Sequence, residues 1–210
     1  MKHPRMIRFA AGVLSALCLT LSGVSALASG GPSSGEPSGG MGGSSGETDA
    51  QLQAMIDEVS DKFFQDDYTD EETGLTVTCN VFLPEDADPE AEYPVVFFIT
   101  DSSTVGRGAE ASLTQGWGGL VWATAAEQAK HPSIVIVPTF DEVILDDHAG
   151  FVTTGYIDLM PRLVRTMAER WGGDMDRLYA TGQSMGCMTF LITAAQDPDQ
   201  IGRASCRERV

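Results

Sequence analysis

One junction constrains this chain more than any other. Arg177 to Thr181 reads as a short buried strand that runs into Gly182-Gln183-Ser184-Met185-Gly186, and a small, apolar, helix-forming segment follows to about Ala195. A sharp strand-to-helix turn projects its serine hydroxyl above the sheet edge at the cost of a strained backbone. Glycines two residues to either side leave space for that backbone. The helix N-terminus then points backbone N–H groups and the positive end of its dipole at the same place. Ser184 is therefore the candidate nucleophile, and the N–H of Met185 a candidate donor to an oxyanion. The string alone carries little weight, because Gly31-Pro32-Ser33-Ser34-Gly35 and Gly42-Gly43-Ser44-Ser45-Gly46 match it too, in a stretch with nothing to position them. The strand before Ser184 and the helix after it set this match apart. The plain alternative is a serine that merely caps a helix.

The preceding sequence supplies a sheet for that turn to sit on. Leu75 to Leu83 alternates apolar and polar residues and stops at Pro84, the pattern of a half-buried antiparallel strand. Val95 to Thr100 and Ser133 to Val137 are continuous β-branched and aromatic runs, suited to strands buried on both faces. Helical spacing appears over Ala50 to Phe64, Leu120 to Ala129 and Gly155 to Trp171, the last closed by Gly172-Gly173. Strands alternating with helices predict an α/β fold with a mostly parallel sheet and right-handed crossovers. There is no internal repeat.

The two ends read differently from the middle. Lys2, Arg5 and Arg8, the apolar run from Phe9 to Leu21, and Ala26-Leu27-Ala28 have the layout of a signal peptide over residues 1–28, so the mature chain is expected outside the cell. Residues 29–47 are almost entirely Gly, Ser, Pro and Glu, a tether composition that cannot bury a core. Residues 48–200 form the expected folded domain. Residues 201–210, IGRASCRERV, resemble the translation of a sequencing adapter and are expected to be a non-native tail with few contacts. On that expectation the strand at 177–181 is left as an unpaired edge. Between residues 29 and 200 there are 7 Lys and Arg against 29 Asp and Glu. That excess repels nucleic acid and anionic membranes, so neither is expected as a partner, and oligomeric state is left open. Cys79 and Cys187 are too few for a disulfide framework and are expected as buried thiols.

Tyr179 to Cys187 preceded by Asp176-Arg177, Gln115-Gly116, and Glu127 to Pro132 with the strand ending at Pro138 together resemble the α/β-hydrolase superfamily. Within it they resemble the secreted bacterial esterase and peptidase group related to prolyl oligopeptidases and polyhydroxybutyrate depolymerases. The resemblance spans about residues 70 to 200. It implies the N-terminal portion of an α/β-hydrolase fold, and a serine hydrolase that cleaves small-molecule esters or peptides through an acyl-enzyme on Ser184. It calls for no cofactor and no metal. Such relatives often carry His-Gly after the strand at 95–100, and the next backbone N–H completes the oxyanion hole. Thr100-Asp101 stands there instead, so the resemblance assigns that donor to Ser102 beside a carboxylate that must point away. Cys187 replaces a usual glycine. The order expected in this fold is Ser, acid, His, yet the histidines are His3, His131 and His148, all before Ser184, and Asp197 and Asp199 come too soon after it. A chain without the later acid and base is expected to be truncated and nearly inert. The competing reading is a catalytically inactive binding module on the same fold.

Overall fold

The computed structural model describes residues 50–88, 90–146, 148, 150–196 and 203–207. The proposed leader, the tether, Asp197 and Asp199 lie outside them. All described residues belong to one unit, Ser44–Val210.

The β-branched runs form the strands that their composition predicts. β1 (Phe64–Thr69), β2 (Thr76–Phe82), β3 (Tyr93–Ile99), β4 (Ile134–Thr139), β7 (Gly173–Gln183) and β8 (Arg203–Arg207) make one sheet in the order β1-β2-β4-β3-β7-β8. β1, β2 and β4 pair antiparallel, whereas β4, β3, β7 and β8 run parallel. A separate hairpin joins β5 (Leu145–Asp146) to β6 (Val152–Thr153). The helices are α1 (Ala50–Val59), α2 (Ala109–Thr114), α3 (Trp117–Ala123), α4 (Ala125–Gln128), α5 (Gly155–Arg170) and α6 (Met185–Gln196).

Because strand side chains alternate, the sheet has two apolar faces, and both are covered. Val95, Phe97, Ile99, Ile134, Ile136, Leu178 and Ala180 pack with Ile157, Leu163 and Met167 of α5 and Phe190 of α6. Phe98, Val135 and Val137 face the other way, against Val59 of α1 and Leu120 and Ala123 of α3. The result is a mixed α/β layer structure whose parallel strands all present their C-terminal ends at one edge.

Four expectations need correcting. The leading helix stops at Val59 rather than Phe64, a 3₁₀ turn follows over Ser60–Lys62, and Phe64 already belongs to β1. The helix expected over 120–129 breaks at Thr124, whose side chain caps α4 by accepting from the Glu127 N–H. Cys79 is a buried thiol, but Cys187 is disulfide-bonded and half-buried rather than a buried thiol. The strand leading to Ser184 is no free edge: β8, within the tail expected to make few contacts, runs parallel to it from Tyr179↔Arg203 to Gln183↔Arg207. An edge strand offers a row of unpaired N–H and C=O groups, and backbone pairing with them requires no particular side-chain pattern.

An ion pair between a buried carboxylate and a half-buried guanidinium fastens the antiparallel end of the sheet to α5. Asp70, 1% exposed, takes two hydrogen bonds from the Arg162 guanidinium, at 2.7 and 2.8 Å. It also accepts from the Tyr68 hydroxyl at 2.8 Å and from the N–H and hydroxyl of Thr73. The Arg162 contact, followed by those of Tyr68 and Thr73, holds the Asp70 carboxyl far below its ordinary range even though burial pushes it the other way.

Candidate active site

The turn predicted at residues 182–186 is present. β7 ends at Gln183, α6 begins at Met185, and Ser184 between them has φ 49°, one of two positive-φ non-glycine residues in the described chain. That left-handed conformation disfavours a residue with a Cβ, so its presence here marks a turn imposed by the packing around it. Ser184 is exposed, while Met185 and Gly186 are buried.

The two glycines permit that packing for separate reasons. A Cβ on Gly182 would lie 2.5 Å from the carbonyl carbon of Gly186 and 2.6 Å from the Cys187 nitrogen, because the turn folds back on itself. A Cβ on Gly186 would lie 2.1 Å from the carbonyl oxygen of Ile99, the last residue of β3. The first turn of α6 is thus pressed against the end of the neighbouring strand.

Donors for an anion gather at the same edge. The first bond closing α6 runs from the Met188 N–H to the Ser184 carbonyl at 3.1 Å, so the N–H groups of Met185 and Gly186 ahead of it have no partner within their own helix. Parallel pairing brings Ile99 opposite Gly182, and the segment after β3 therefore emerges beside the turn. That segment forms a short 3₁₀ turn over Ser102–Thr104. Ser102 is exposed at its first position, where the N–H has no partner inside the turn.

The carboxylate of Asp101 is occupied by amide donors. Its Oδ1 accepts from the Ser103 N–H at 2.8 Å and from Gln115 Nε2, and its Oδ2 accepts from Gln183 Nε2 at 3.2 Å. Gln115 Nε2 also donates to Ser103 Oγ at 2.7 Å. Below this cluster the buried hydroxyls of Thr100 and Thr104 bond each other at 2.6 Å, and the Gly106 N–H reaches the Phe140 carbonyl at 2.9 Å. Sequence reasoning missed Gln115 and Gln183 as partners of Asp101, although both stood inside the quoted motifs; the signal was an acid flanked by two uncharged amides at one sheet edge.

Neither folded-region histidine is joined to Ser184 by a described contact. His131 is exposed at the end of α4, and its N–H bonds the Glu127 carbonyl at 2.8 Å. The His148 side chain is 77% exposed and its Nδ1 lies 3.2 Å from Asp146 Oδ1. That contact and a bond from the His148 N–H, the larger cause, lower the Asp146 carboxyl. Among the described residues no helix is long and apolar enough to cross a membrane.

No family model matches the chain, and no curated protein matches it. Solved structures do. A thermostable esterase superposes with a TM-score of 0.62 at 25% identity, covering 69% of this chain and 40% of that one. A CE1 ferulic acid esterase from the anaerobic fungus Anaeromyces mucronatus gives 0.50 at 19% identity, over 69% of this chain and 57% of that one. A fluorophosphonate-binding serine hydrolase of Staphylococcus aureus gives 0.50 at 18% identity, over 69% and 56%. The chain therefore spans about 40 to 57% of the length of these structures. The covered parallel sheet, the Ser184 turn at its C-terminal edge and the likeness to the thermostable esterase show that the chain has the α/β-hydrolase fold.

Proposed function

We propose that this chain is the nucleophile-bearing part of a secreted serine hydrolase that cleaves small carboxylic esters through an acyl-enzyme on Ser184. The observation that carries the reading is Ser184 at φ 49°, held there by the close approaches at Gly182 and Gly186. In the proposed reaction Ser184 Oγ attacks the ester carbonyl as a base removes its proton. The tetrahedral oxyanion is met by the N–H groups of Met185 and Ser102. Collapse expels the alcohol, which takes up the proton, and water then releases the acid and restores Ser184.

Neither described histidine is joined to Ser184 by a described bond, so the base is supplied in the test. A triad missing a member keeps only about 10³- to 10⁴-fold catalysis over water, from the oxyanion hole and binding. The reading therefore expects slow turnover that rises when a base is added. The test is hydrolysis of p-nitrophenyl acetate with and without imidazole, by the chain and by Ser184→Ala. Expected is a saturable imidazole-supported rate in the chain, absent from Ser184→Ala. Equal rates in both would leave the fold without this chemistry and favour a catalytically inactive binding module.

A further inference from the structure

The segment carrying Ser102 has no intrinsic reason to present its N–H toward Ser184. It is a one-turn 3₁₀ element on an exposed connection, and glycines with φ 68° and 86° follow at 106 and 108. What fastens it to the turn is one side chain. Asp101 Oδ1 caps the element through the Ser103 N–H, and Oδ2 takes the amide of Gln183, the residue that immediately precedes Ser184. Gln115 closes the cluster from α2's end, donating to Asp101 and to Ser103 Oγ. The Gln115 Oε1 is buried and has no hydrogen-bond partner. The amide therefore gives up an acceptor bond to direct its N–H groups at Asp101, the orientation a carboxylate dictates, since the reverse would set oxygen against oxygen.

We propose that Asp101, held between Gln115 and Gln183, is a positioning residue that sets the Ser102 N–H as the second oxyanion donor beside Ser184. The inference rests on the reading of Ser184 as nucleophile. The three amide donors also meet the negative charge that would otherwise oppose an oxyanion nearby. The clamp joins the two halves of the hole, one on β3's continuation and one on the β7–α6 turn.

The test uses the imidazole-supported, Ser184-dependent hydrolysis of p-nitrophenyl acetate, with thermal melting of each variant. Misplacing a catalytic group by about 1 Å costs on the order of 100-fold, and removing one oxyanion donor about 10²- to 10³-fold. Asp101→Ala is expected to lower kcat by about 10- to 100-fold with KM held within about twofold, and to weaken a trifluoromethyl ketone, whose adduct is itself an oxyanion, by the same factor. Asp101→Asn keeps an acceptor for the Ser103 N–H, and the Gln183 amide can rotate to accept from its new NH₂; it is expected to recover most of the loss. Gln115→Ala, further from the turn, is expected to lower kcat less, in the same direction, and serves as the readout if Asp101→Ala melts early. Unchanged kcat in Asp101→Ala, a loss confined to KM, or Asp101→Asn no better than Asp101→Ala would overturn the clamp. Unchanged kcat in Gln115→Ala would do so where Asp101→Ala does not fold. Full turnover by Ser184→Ala, or none by the parent chain, would instead bring down the nucleophile assignment, and this inference with it.

Discussion

Ser184, at φ 49°, is one of two described non-glycine residues held in the left-handed region, the other being Asp86 at φ 56°. A residue with a Cβ in the left-handed region costs roughly 1–2 kcal/mol, and the turn retains it because Gly182 and Gly186 let three backbone segments meet. Two substitutions separate these effects. Ser184→Gly removes the Cβ from φ 49° and is expected to raise stability in urea by up to about 1 kcal/mol while abolishing hydrolysis. Gly186→Ala must displace the Ile99 carbonyl, 2.1 Å from the new Cβ, and is expected to cost about 1–3 kcal/mol. Gly116→Ala, with nothing within 4 Å of its Cβ and no positive φ, should stay within about 0.5 kcal/mol of the parent. A Gly186→Ala protein as stable as Gly116→Ala would show that the turn is looser than described. At this scale Ser184, Gly182 and Gly186 were legible because strand, glycine and helix signals agree on one place. The partners of Asp101 were not, because a hydrogen bond between residues 82 apart leaves no periodicity in the sequence.

Among the elements, legibility followed burial. β3 and β4 are buried throughout or nearly so and read plainly as β-branched and aromatic runs. β1, with the sequence FQDDYT at the sheet edge, is mostly exposed and acidic, and no hydrophobic alternation betrays it. Its pairing comes instead from the register with β2, and its place against α5 from Asp70 and Arg162. Removing Arg162, itself a third exposed, leaves the buried Asp70 with only its Tyr68 and Thr73 donors, so Arg162→Met is expected to lose about 1–3 kcal/mol in urea unfolding. The same pair gives a pH dependence of known sign. Asp70 titrates lower in the folded chain than its ordinary 3.8, so it stabilises the fold fully above that value, and the contribution fades as pH falls toward the lower folded value. The urea midpoint of the parent should drop between about pH 4 and pH 2, and Arg162→Met should lose that part of the slope. A parallel decline in both proteins would assign the acid sensitivity elsewhere.

The whole chain carries a formal net charge of −17. Its architecture is one layered sheet with two covered faces, and the parallel strands bring the Ser102 turn and the Ser184 turn to one edge although they lie far apart in sequence. That arrangement was legible as an alternation of strand and helix. The place of β8 was not, since Arg203–Arg207 has no strand-like pattern and pairs through its backbone. Deleting residues 201–210 should therefore re-expose the β7 edge and raise aggregation measured by light scattering. Phosphonylation reads out the proposed role of Ser184, because the probe bonds covalently to the oxygen that attacks. The chain would be incubated with a fluorophosphonate, with and without imidazole, and digested for peptide mass mapping. A single adduct on Ser184 is expected, formed faster with imidazole and absent from Ser184→Ala. An adduct on another serine, or equal labelling of Ser184→Ala, would contradict it.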